Sequence, residues 1–146
     1  MTDVFWNLSE EELLALVIWA EARGEPYDGR RAVGTVILNR LDKNGWFGKT
    51  LHEVILKPFQ FSCFNISDPQ FKKLVKIAQN FEEACKNNIT LRSCLWMAQG
   101  LLNGTIPRDD KNITHYHTLD CNPKWDDNMV LVKCVGHHGF FKEKTV

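Results

Sequence analysis

Apolar residues recur at helical spacing twice in the first third of the chain. Leu14, Val17 and Ile18 mark one stripe; Val33, Val36, Ile37 and Leu41 mark another. The first stripe has a clear start. Ser9 and Glu12 stand at capping-box spacing, so the hydroxyl can take an orphan amide while the carboxylate reaches back. Leu8 and Leu13 are placed for a hydrophobic staple. Gly24 predicts a left-handed cap, Pro26 a stop, and Asp28 the cap of the second helix. Thr50 and Glu53 form another capping box, opening a short helix that Pro58 ends. Phe59 to Phe64 alternates and predicts a strand or extended loop. Asp68-Pro69 opens a long amphipathic helix through Phe71, Leu74, Val75, Ala78, Phe81 and Cys85. Leu91, Cys94, Leu95, Ala98 and Leu102 trace one more, ended by Asn103-Gly104.

The pattern changes after Pro107. Ile113 to Thr118 alternates and Met129 to Val135 is β-rich. Gly136-His137-His138-Gly139 predicts a turn leading into Phe140-Phe141. Helices followed by a small antiparallel sheet make an α+β fold. With 146 residues and no repeat or linker, the expectation is one domain over 1–146, and a monomer.

Composition narrows the partners. Formal net charge is zero, so no basic excess points to nucleic acid or a membrane surface. The longest apolar run, Leu13 to Ala20, is too short to span a bilayer. The amino terminus has no basic, signal-like start, which predicts synthesis in the cytoplasm without a signal peptide. The five cysteines include no C-x-x-C pair and read as small buried hydrophobes rather than a zinc ribbon.

Glu21 is the residue that stands out. It follows Leu14, Val17 and Ile18 at i+7, i+4 and i+3, on the apolar face and in the last helical turn. Desolvation and the negative helix end both favour its protonated form. That is the requirement for a general acid near neutral pH. The competing reading is an ion pair with Arg23, Arg30 or Arg31 that ties the turn together. Glu25 is the other carboxylate close by, but Gly24 and Pro26 separate the two, so they are not expected to face one another. In a strand, His115 and His117 would share one face and Tyr116 the other. The two histidines, with His137 or His138, could bind zinc; alternatively they hydrogen-bond backbone or a polar ligand. Gln60 could orient a polar ligand or be a strand residue facing solvent. Tyr116 and Trp125 could stack on a ligand or sit in the core.

The stretch Ala20-Glu21-Ala22-Arg23-Gly24-Glu25-Pro26-Tyr27, with Gly29, Ala32-Val33 and Val36-Ile37-Leu38-Asn39-Arg40, resembles the opening motif of cell wall hydrolases of the SleB–CwlJ type. These are spore cortex-lytic enzymes and their relatives, including phage lysins. Pro58-Phe59-Gln60-Phe61-Ser62, Thr114-His115-Tyr116-His117, Trp125 and Gly136-His137-His138-Gly139-Phe140-Phe141 extend the resemblance in order over residues 8 to 142. It implies a lysozyme-like helical part with a single catalytic glutamate at the end of its first helix, here Glu21, and a β part closing the cleft. It implies peptidoglycan glycan strands as substrate, with no cofactor and no metal. Glu25, Gln60, Ser62, His115, Tyr116, His117, Trp125 and His137 would then be contacts in the substrate cleft, Glu25 either fixing the turn or touching substrate.

One acid suffices for a lytic transglycosylase cutting the MurNAc–GlcNAc bond, because the muramic acid C6 hydroxyl replaces water as nucleophile. Without a signal peptide, a phage endolysin reaching the wall after holin-type release or lysis fits. The rival expectations are a muramidase giving reducing ends, a metal-dependent N-acetylmuramoyl-L-alanine amidase on the His115/His117 face, and a wall-binding module without activity.

Overall fold

The computed structural model describes residues 3–58, 60–119 and 127–144. Among these, seven helices precede a three-stranded sheet. A short α1 (Asp3–Trp6) leads into α2 (Glu10–Ala22), and both halves of the Ser9/Glu12 capping box are made. Every residue from Leu13 to Ala20 is buried. The helix is therefore wrapped on all sides rather than amphipathic, as a central core helix must be. Around it lie α3 (Tyr27–Leu41), α4 (Leu51–Leu56), α5 (Phe71–Gln79), α6 (Phe81–Lys86) and α7 (Ile89–Asn103), ended by left-handed Gly104.

Four local expectations are corrected. Gly24 is not left-handed: α2 ends at Arg23 in helical conformation. The Arg23 guanidinium donates to the carbonyls of Trp19 (3.2 Å) and Ala20 (3.3 Å), satisfying the helix end itself. Pro26, not Asp28, is the cap of α3, which begins at Tyr27 and leaves Asp28 in its first turn. Residues 60–64 form no strand; Ser62–Phe64 is a 3-10 turn whose Cys63 is buried. The long helix from Phe71 to Cys85 is broken at Asn80, whose φ of −150° leaves the helical region and whose side chain caps α6. The apolar period runs across the break because both segments bury the same side. Periodicity alone cannot register such a break.

The strands β1 (His115–Thr118), β2 (Met129–Val135) and β3 (His138–Glu143) pair antiparallel in the order β1-β3-β2, with a register shift between Leu131 and Lys133. His138 and Gly139 belong to β3, so the turn reduces to Gly136-His137. Tyr116 lies opposite Phe140, which is fully buried. Two side chains of α3 fasten the chain entering β1. Asn39 Nδ2 donates to the carbonyls of Asp110 (3.0 Å) and Ile113 (2.8 Å), and Arg40 Nε donates to Thr114 O (2.7 Å). Cys63, Cys85 and Cys94 are buried as expected, whereas Cys134 is exposed; all four are free thiols. No helix among the described residues is long and apolar enough to cross a membrane.

Candidate active site

The helix end and the sheet meet at Glu21. The Tyr116 hydroxyl, reaching inward from β1, donates to Glu21 Oε1. The buried Cys63 thiol also hydrogen-bonds to Glu21 and is pushed well up, by burial first and then by that carboxylate. Burial raises the Glu21 pKa above the usual carboxylate range and Asp68 adds to it, while Tyr116, His138 and Arg40 partly offset the rise. Desolvation thus inclines this acid towards its protonated form, and two side chains, the Tyr116 hydroxyl and the Cys63 thiol, hydrogen-bond to it.

The arginines that might have neutralised it are engaged elsewhere. Arg23 holds the α2 carbonyls and Gln70 Oε1 (2.7 Å). Arg30 donates to Arg23 O (2.8 Å). Arg31 donates to Pro107 O (3.0 Å) and lies 3.8 Å from Asp109. The turn is tied together, but not through Glu21.

Glu25 plays a different part. It is 7% exposed. Its Oε1 accepts from the His137 amide (2.7 Å) and contacts His138 Nδ1 (3.0 Å), and its Oε2 contacts His137 Nδ1 (3.0 Å). Burial alone would raise its pKa, but these donors outweigh burial and hold it below the ordinary value. Gly136, at φ +55°, lets the turn come this close; a Cβ there would stand 2.5 Å from Glu25 Oε1. The two carboxylates therefore have opposite tendencies: Glu21 keeps its proton and Glu25 gives its proton up.

The remaining sequence candidates fall into distinct places. Arg40, 8% exposed, donates to Gln60 Oε1 (3.3 Å), so the Gln60 amide is oriented from within. His115 packs edge-on against Phe47 (6.1 Å) and contacts Thr114 Oγ1 (3.0 Å). Burial and Arg40 lower its pKa to about 4, leaving it neutral at physiological pH. His117 stacks on Phe141 (4.8 Å). Ser62 is exposed at the start of the 3-10 turn, and the His137 side chain is largely exposed. Tyr116 has Phe140 and His138 against its ring and Glu21 at its hydroxyl. Trp125 and Phe59 lie outside the described residues. Among the described residues, no three or more His, Cys, Asp or Glu side chains are arranged to hold a metal ion.

Arg40 and Cys63 are the site neighbours to which sequence reasoning gave no role, and His138, expected only as an alternative zinc ligand, instead contacts Glu25 and the Tyr116 ring. Arg40 carried a signal. It follows Val33, Val36 and Ile37 at i+7, i+4 and i+3, a charge on an apolar stripe, just as Glu21 is.

The fold and site define the class: a helical catalytic domain with one shielded acid at a helix end, closed by a small antiparallel sheet. Among solved structures, the catalytic domain of the germination-specific lytic transglycosylase SleB from Bacillus anthracis shares this fold. Its TM-score is 0.66 at 27% identity, covering 93% of this chain and 98% of that one. The catalytic domain of the Bacillus cereus SleB protein matches with a TM-score of 0.66 at 28% identity, covering 91% and 89%. A family model described as Cell Wall Hydrolase matches residues 24–141. The chain belongs to this cell wall hydrolase family. A spore cortex-lytic enzyme of Bacillus subtilis strain 168 is 46% identical over 128 residues, 88% of this chain and 36% of its own length. One from Bacillus cereus is 29% identical over 138 residues, 94% and 46% respectively. The chain thus spans less than half the length of these curated relatives. The family match starts at Gly24, beyond Glu21, whose case rests on the geometry.

Proposed function

We propose that this domain is a lytic transglycosylase that cleaves the MurNAc–GlcNAc bond of peptidoglycan, with Glu21 as its acid and base. The observation that carries this reading is the division of labour between the two carboxylates. Glu21 is shielded and inclined to hold a proton, while Glu25 is fully occupied by the β2–β3 turn. Hydrolysis through a covalent or water-inverting route uses a second free carboxylate. An intramolecular nucleophile does not need one.

With Oε1 accepting from Tyr116, Glu21 carries its proton on the other oxygen and delivers it to the bridging oxygen as the bond to muramic C1 breaks. The carboxylate so formed, steadied by Tyr116, removes the proton from the muramic C6 hydroxyl. That oxygen closes onto C1, giving a 1,6-anhydro end and restoring the acid. Gln60, oriented by Arg40, and His115, neutral at the cleft wall, are placed to hydrogen-bond sugar. Ser62, His117, His137 and Glu25 are assigned to the cleft margin, Glu25 by fixing the turn.

The Bacillus anthracis SleB structure that shares the fold supports the reading through the activity in its name. The curated relatives are spore cortex-lytic enzymes, so the proposal extends to wall or cortex peptidoglycan. Mass analysis of digested sacculi tests the reading. Anhydromuramic ends are the expected product. Reducing muramic ends alone would make the enzyme a muramidase. Released stem peptides, with activity lost in EDTA and restored by zinc, would make it an amidase.

A further inference from the structure

Away from Glu21, two large aromatics are left in water. Trp46 is 78% exposed and Trp6 is 45% exposed. Scattered surface aromatics are ordinary, but these two border one hollow, walled also by Phe47, Leu56, Lys57 and Pro58. Its volume is about 310 Å³, at the small end of ligand pockets (about 300–1,000 Å³), room for one sugar ring.

The hollow is built rather than incidental. Asn44 (φ 54°) and Gly45 (φ 86°) turn the loop that carries Trp46. Gly48 (φ 149°) presses that loop onto α4, where a Cβ would meet Val54 N at 2.8 Å. Lys49 N donates to Glu53 Oε1 (2.8 Å), closing the loop on the α4 capping box. Trp6 is stacked on His52 (5.9 Å, 23°), itself fixed to Leu8 O (2.7 Å). The Trp6 indole is therefore held in place before binding, and the tight loop fixes the backbone that carries Trp46.

The hollow also adjoins the site. Phe47 forms its wall, packs on His115 and lies under the Arg40 guanidinium (5.2 Å). Arg40 in turn holds Gln60, two residues beyond Pro58, which also lines the hollow. Aromatic faces beside polar groups suit a pyranose, which offers an apolar C–H face and a rim of hydroxyls. Lys57 supplies donors for that rim.

We infer that the Trp6–Trp46 hollow is a distal saccharide subsite, holding one sugar of the glycan strand beyond the unit cleaved at Glu21. This rests on the glycan-cleaving reading above and adds where the strand runs: over Phe47 and out along α4.

The test separates the two claims. Binding of peptide-free GlcNAc–MurNAc strands is measured by calorimetry on the Glu21→Gln protein, and cleavage of sacculi on the unaltered protein. Trp46→Ala and Trp6→Ala should each weaken strand binding about tenfold, and Trp46→Phe should restore most of it. Trp96→Ala, which removes another exposed indole (58%) away from the hollow on α7, should change nothing. Melting curves establish that each variant is folded. Strand binding unaffected by Trp46→Ala, or lost equally in Trp96→Ala, overturns the subsite. So does an absence of strand binding, or tighter binding of free stem peptide at Trp46. Sacculi left uncut by the unaltered protein overturn the catalytic reading independently.

Discussion

The Tyr116 hydroxyl on β1 donates to Glu21 Oε1 at the end of α2, joining residues 95 positions apart. This one contact steadies the carboxylate without neutralising it, because the donor is an uncharged phenol. Glu21 consequently keeps a pKa above the ordinary carboxylate value and yet has a partner for its ionised form. The phenol is also buried and held protonated, with a pKa well above its ordinary value through burial and Glu21.

Tyr116→Phe removes that donor and keeps the ring. Because the hydrogen bond lowers the Glu21 pKa, its loss should raise that pKa further. The alkaline limb of the pH–rate profile should move to higher pH, and the maximal rate should fall about tenfold or more. Turbidity loss of sacculi across pH reads both. An unmoved limb would mean that Tyr116 only packs.

Glu21→Gln should abolish cleavage, since an amide delivers no proton. Its stability effect has a definite sign. A folded pKa above the unfolded value leaves full stability below about pH 4.5, lost as pH rises through the folded value. Glutamine removes that loss. Variant and parent should melt alike in acid, and at neutral pH the variant should melt at the same temperature or higher. A much lower midpoint at neutral pH would instead show Glu21 holding a buried cation.

Glu25→Gln should act in the opposite sense. The Glu25 pKa is lowered, so its contribution is present above the ordinary carboxylate value and is lost as pH falls through the folded one. At neutral pH the amide should cost about 1–3 kcal/mol, or roughly 3–10 °C, by setting an N–H against histidine donors. The gap between variant and parent should close in acid. Gly136→Ala, which drives a methyl into Glu25 Oε1, should reproduce much of the loss.

Arg40→Met should raise the His115 pKa from about 4 towards its ordinary 6.5. The recovery should be partial, because burial is the larger cause and remains. Imidazole proton shifts across pH measure it. The same change strands Thr114 O and frees Gln60, at a cost of about 2 kcal/mol in stability.

Much of this was legible in the sequence. The capping boxes at Ser9 and Thr50 fixed two helix starts, and Glu21 announced itself as a carboxylate on an apolar face. Alternation placed Tyr116 opposite His115 and His117. What could not be read was direction across the fold. Nothing local says that Tyr116 turns inward to an acid instead of outward to a sugar, or that Glu25 spends both oxygens on a turn 112 residues away. The break at Asn80 was hidden for the converse reason: two helices burying the same side keep one apolar period.

The separation of the site's parts along the chain bears on its biosynthesis. Glu21, Glu25 and Arg40 are made well before Tyr116, His137 and His138. A nascent chain that has reached only Pro107 carries the acid without its phenol and the anchor without its turn. Assembly of the reactive centre therefore waits for the final strands to leave the ribosome. A product terminated before them would be a helical body without the Glu21–Tyr116 contact and without the turn that Glu25 anchors, so the centre is complete only once β3 has been made.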